Sequence, residues 1–134
     1  MATIRSFEEL EAWKRARVLV KEVYAASSDG AFGRDLALRD QIRRASISVV
    51  SNIAEGFDRG SARAFVQFLH IARGSAAEVR AQLYVALDLG YIDPPAFERL
   101  SAQAAEIGRM VSGLIRYLQR SRARGENSQP ATRN

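Results

Sequence analysis

No cysteine occurs in the 134 residues, and there are only one histidine and three prolines. Without a thiol there is no disulfide framework, no thiolate zinc site and no cysteine nucleophile. His70 has no second imidazole to pair with, and Gly74 stands at i+4 where an acidic ligand would have to be. A surface or interface residue is therefore expected there, not a metal or catalytic site. The chain also lacks the G-x-S-x-G of a nucleophile elbow and the G-x-x-x-x-G-K of a phosphate loop. No run approaches the roughly 18 apolar residues a membrane span needs, and MATIRSFEELEAW has no signal-peptide core. These absences predict a soluble cytoplasmic protein that is not an enzyme, needs no cofactor and binds neither membrane nor metal.

What is present is charge, unevenly placed. The net charge is +5, yet residues 1 to 108 carry 14 basic and 14 acidic side chains. Residues 109 to 134 carry six arginines against one glutamate, so the whole surplus lies at the C-terminal end. Arg109, Arg116 and Arg120 share one helical stripe that continues into Arg122 and Arg124. Such a stripe is a candidate phosphate-binding patch whose contacts release counterions. It is equally a solubilising helix end whose arginines complement the macrodipole. No aromatic row is interleaved with it, which argues against base stacking along a single strand.

The apolar residues recur at helical spacing throughout. A capping box, Ser6 with Glu9, predicts a first helix running to about Ser27, stopped by Ser27-Ser28-Asp29-Gly30. Asp35 predicts the N-cap of a second, ending at Gly56 or just beyond, before Gly60. Ser61 caps a third, from Ala62 to Leu89. Asp93-Pro94 opens a fourth, with Phe97, Leu100, Ala104, Ile107, Val111, Ile115 and Leu118 on its buried face. Residues 121 to 134 have no apolar period and are expected to be a disordered arginine-containing tail. Four helices with short connections and no strand pattern predict one domain, residues 1 to 120, folded as an all-α, antiparallel up-and-down four-helix bundle.

Two helices carry more apolar surface than one core requires. On the second, Leu38, Ile42, Ala45, Val49 and Ile53 form one stripe, and Ile47, Val50, Ala54 and Phe57 a second roughly 140° away. Arg43 lies beside that second stripe, whereas Arg44 is placed to pair with Asp40. On the third, Gln67, Ile71, Gly74, Ala77, Ala81, Val85 and Leu89 lie opposite the core. Together with Arg43, Ile47, Val50, Ala54 and Phe57 they form a candidate subunit interface, although the inner helices of a bundle also have wide buried arcs. Gln41, Ser48, Asn52 and Glu55 on the second helix can face Ser75, Glu78 and Gln82 on the third. A hydrogen-bond network fixing register is the simpler reading, and a polar ligand pocket the sharper one.

Three of these segments, FEELEAWKRARVLVKEVY from Phe7, QIRRASISVVSNIAEG from Gln41 and RGSARAFVQFLHIARGSAAEVRAQL from Arg59, together with LDLGYI ending at Ile92, carry a family resemblance. The chain resembles the bacterial four-helix proteins encoded in intervening sequences of 23S ribosomal RNA, over about Phe7 to Leu118. Val50 stands where that family commonly has proline, and Ala64 where it commonly has glutamate. The first leaves the second helix straighter, and the second weakens the cap at Ser61. The resemblance implies a helical bundle that assembles with itself as a ring, a pentamer, without enzymatic activity. More distant relatives bind nucleic acid, so RNA or another nucleic acid is the partner expected beyond the chain itself; a protein-interaction scaffold is the alternative.

Overall fold

Three side-chain caps set the architecture. Asp35 accepts the Leu38 amide at 3.1 Å, Ser61 the Ala64 amide at 3.2 Å and Asp93 the Ala96 amide at 2.9 Å. Each satisfies a backbone donor that the helix itself cannot. The structure, a computed structural model, describes residues 4–123. Its helices are α1 (Glu11–Ala26), α2 (Gly30–Arg34), α3 (Leu36–Asp58), α4 (Ala62–Asp88) and α5 (Pro94–Ala123). The described residues contain no strand.

The four long helices pack in a closed circuit, α1 on α3, α3 on α4, α4 on α5 and α5 back on α1. Cross-helix contacts give their direction. Gln82 reaches Gln41, Ser75 meets Ser48 and Phe68 abuts Gly56, so residue numbers fall along α4 as they rise along α3. Arg73 reaches Ser112 while Tyr84 packs on Phe97, and α4 and α5 run oppositely too. The core is the shared stripe: Leu19, Ile42, Val49, Ile53, Leu69, Leu83, Leu100, Ile107 and Leu118 are all essentially inaccessible. At about 1.5–3 kcal/mol per buried side chain, this stripe dominates the favourable side of folding.

The structure corrects the start of α1 and the end of α5, and adds the short helix α2. Ser6 makes no side-chain cap; Phe7–Glu9 is a separate turn of 3-10 helix, and α1 begins at Glu11 after an extended Leu10. The break buries Leu10 and lets Phe7 meet Trp13 edge-on, with ring centroids 5.1 Å apart, and this apolar gain outweighs the capping box. α1 stops at Ala26 with Ser27 as its C-cap, as expected, but Gly30 also starts α2, which sinks Phe32 into the core. α3 ends at Asp58, just beyond Gly56 as expected; Gly56 itself lies buried inside the helix, and the left-handed glycine beyond the helix end is Gly60, at φ +88. A Cβ on Gly56 would lie 2.6 Å from that of Phe68, so glycine is there to let α4 approach. Finally, α5 continues through Ala123 with Ser121 buried, past the expected start of the tail; residues 124–134 lie outside those described.

Candidate nucleic-acid interface

Where α4 and α5 lie side by side, both present small residues to the seam. Ala76 and Ala77 face Ala104, Ala105 and Gly108, leaving an open groove of about 530 Å³. Each helix then adds two arginines spaced seven residues apart, hence on one face: Arg73 and Arg80 from α4, Arg109 and Arg116 from α5. Small floor and long walls are one design, because the guanidinium stems stand clear only where no bulky neighbour fills the seam.

Three polar contacts order this site. Arg73 donates to Ser112 Oγ at 3.2 Å across the groove and lies 2.9 Å from His70 Nδ1. Arg109 pairs with Glu106 on its own helix at 2.6 Å, with Arg109 largely exposed and Glu106 partly so. Arg80 and Arg116 have no ion pair among the described residues. Four guanidiniums against the one carboxylate of Glu106 leave a formal surplus of three charges (4 − 1) along the groove. Solvent screens exposed charges, but four carried on one pair of walls sum to a positive field along the groove.

Arg109 and Arg116, expected from sequence, thus belong to the groove, whereas Arg120 and Arg122 are exposed on the last turn of α5 beyond it. Arg124 lies outside the described residues. Arg73 and Arg80 were missed because locally their charges are balanced by the acidic residues of the first 108 positions. Their signal, an arginine pair two turns apart bracketing two alanines, has meaning only beside the matching pair on α5.

The candidate subunit face divides. Ile71, Gly74, Ala81, Val85 and Leu89 are all exposed, as is Ile47. Val50 and Ala54 are half-buried, and Phe57 is a core residue packed edge-on to Phe65, so it has little surface to offer a partner. Arg43 turns away from the second stripe to the end of α1. Its guanidinium lies 4.3 Å from the centroid of the Tyr24 ring, and it donates to Ser27 Oγ at 2.8 Å and to the Tyr24 carbonyl at 3.3 Å. It thereby ties the C-terminus of α1 to α3, where a cation is favoured. Arg44 does not pair with Asp40, whose carboxylate is taken by Arg39 at 3.1 Å. The adjacent residue reaches it because Arg39 also donates to the Gly33 carbonyl, which holds its side chain toward the start of α3.

The polar residues between α3 and α4 form a register-fixing network in part. Ser48 and Ser75 share a 2.8 Å hydrogen bond, Asn52 donates to the Ser48 carbonyl and hydroxyl, and Gln82 reaches Gln41 at 3.4 Å. Glu55 turns outward to Arg59 at 2.8 Å, and Glu78 borders a small cleft with Gln41, Arg44 and Ser48. Among the described residues no three of His, Cys, Asp and Glu cluster as metal ligands would, and no helix is long and apolar enough to cross a membrane.

Comparison with known proteins bears on the same segments. A family model described as 23S rRNA-intervening sequence protein matches residues 8–113. Among solved structures, the chain is similar to a protein of unknown function from the S23 ribosomal protein family of Bacteroides thetaiotaomicron VPI-5482, determined at 1.70 Å. That likeness has a TM-score of 0.72 at 20% identity, over 78% of this chain and 97% of the other, and it shows a shared fold alone. Comparison with curated proteins gives no match.

Proposed function

We propose, from the premise that this chain belongs to the 23S rRNA-intervening sequence protein family, that it is a non-enzymatic, cytoplasmic, homo-oligomeric bundle that binds RNA or another nucleic acid through its phosphates. One observation carries the binding reading: Arg73, Arg80, Arg109 and Arg116 flank a groove whose floor is alanine and glycine. Arginine's planar fork suits phosphate oxygens, and a floor without distinctive donors or acceptors reads no base sequence. The binding is therefore nonspecific, with Arg120 and Arg122 extending the basic surface past the groove.

Assembly rests on a second observation, the exposure of Ile71, Val85 and Leu89 around the small residues Gly74 and Ala81. A second copy that covered this face would bury apolar area against a surface that a helix can approach closely. In a pentameric ring the α4–α5 groove would recur on every subunit, and weak phosphate contacts would combine through effective concentration.

The test is binding of a fluorescent structured RNA, followed by anisotropy, to the wild type and to a variant with Arg73, Arg80, Arg109 and Arg116 all changed to glutamine. Loss of binding in a variant that keeps its helical circular dichroism supports the groove. Undiminished binding refutes it, and absence of binding by the wild type at low salt leaves a protein-interaction scaffold as the function.

A further inference from the structure

Antiparallel packing interleaves the arginines of the two walls. The Arg73–Ser112 and Tyr84–Phe97 contacts fix the antiparallel direction of the two walls. Arg80 therefore stands toward one end of the groove and Arg116 toward the other, with Arg73 and Arg109 between them. At 1.5 Å per residue the two arginines of each wall stand roughly 10 Å apart along their helix. Cations carried along both walls suit an extended phosphodiester chain lying in the groove. An RNA duplex is less suited: its phosphates are fixed on a rigid A-form helix whose deep, narrow major groove side chains cannot enter, so its backbone cannot follow one line between two packed helices.

One turn beyond Arg80, past the residues that line the groove, α4 carries an aromatic residue that the sequence alone does not connect with the arginines. Tyr84 follows Arg80 by one turn and Ala77 by two, so it continues the same α4 wall. It is 54% exposed, while its ring is held against buried Phe97 with centroids 4.7 Å apart. A large ring fixed on one side and open on the other is a stacking platform. Asp88 and Glu98, exposed near the same end, disfavour a further phosphate there and leave the base as the group the site accepts.

We propose that the α4–α5 groove is a single-strand site, with successive phosphates on the four arginines and a base stacked on Tyr84. This rests on the nucleic-acid reading above and narrows it to unpaired strands. No aromatic row is required, because the strand is held by its backbone and only the nucleotide leaving the groove meets a ring.

The experiment compares four probes: a short mixed-sequence RNA strand, its blunt duplex, the same strand with abasic residues, and inorganic tripolyphosphate as competitor. The single strand is expected to bind at least tenfold more tightly than the duplex, and tripolyphosphate to compete only weakly. Tyr84→Ala should weaken the base-bearing strand by about tenfold, in the range found for base-on-aromatic stacking, and leave the abasic strand unchanged. Tyr84→Phe should bind as the wild type. Equal affinity for strand and duplex, or a Tyr84→Ala effect that is absent or the same on the abasic strand, overturns the proposal. If instead the four-arginine variant binds all nucleic acids as well as the wild type, the groove itself is not the site.

Discussion

Tyr91 donates its phenolic proton to Asp35 Oδ2 at 2.8 Å, joining the connection between α4 and α5 to the residue that caps α3. The same carboxylate accepts the Leu38 amide through its other oxygen, and Tyr91 stacks on Phe32 of α2. One acidic group thus closes the end of the bundle away from Gly56.

This gives a pH dependence of known sign. The Leu38 amide and then the Tyr91 hydroxyl hold the Asp35 carboxyl below its ordinary range. A depressed folded-state pKa contributes stability that is present above the unfolded value, near 4, and is lost as pH falls through the folded value. Tyr91 is raised above its ordinary value, chiefly by that hydrogen bond, so its contribution is present below about pH 10 and is lost at higher pH. Thermal unfolding followed between pH 2 and 6 should show a smaller acid-induced fall in Tm for Asp35→Asn than for the wild type, since asparagine still caps and accepts but does not titrate.

Gly56→Ala should destabilise the fold by about 1–3 kcal/mol, measured by urea denaturation, because the new methyl meets Phe68 Cβ at 2.6 Å and Phe65 at 3.1 Å. Helix propensity alone predicts the reverse sign, a gain of up to about 1 kcal/mol. A gain would show that α3 and α4 are not so closely apposed.

Gly74 provides the contrast. A Cβ there meets nothing within 4 Å, so Gly74→Ala should raise stability by about 0.5–1 kcal/mol in an isolated subunit. Gly74→Arg should lower the mass by light scattering toward the 14.8 kDa of one chain. A wild type already at that mass would refute the assembly assigned to this face.

Arg43→Ala should cost about 1–2 kcal/mol of stability through the lost bonds to Ser27 and Tyr24, with little change in RNA affinity. A selective loss of RNA binding in a stably folded Arg43→Ala protein would place the nucleic-acid surface on α3 instead.

Long helices were the most legible part of the sequence, because apolar period and caps agree at Asp35, Ser61 and Asp93. The start of α1 was not, since Ser6 and Glu9 satisfy a local rule that the burial of Leu10 overrides. Gly56 resembles a stop signal until the neighbouring helix is in place. The groove was half legible for the same reason: Arg109 and Arg116 stand in an uncompensated stretch, whereas Arg73, Arg80 and Tyr84 gain their meaning from the antiparallel register with α5.

The most direct test of the account is the salt dependence of RNA binding by the wild type and by Gly108→Leu, which fills the groove floor without altering any charge. Four phosphate contacts to a single strand predict a wild-type slope of log K against log salt of about −3. Gly108→Leu should flatten that slope and weaken binding at low salt while the helical circular dichroism is retained. An unchanged slope and affinity in Gly108→Leu would contradict the account, because the phosphates would then lie on some other surface.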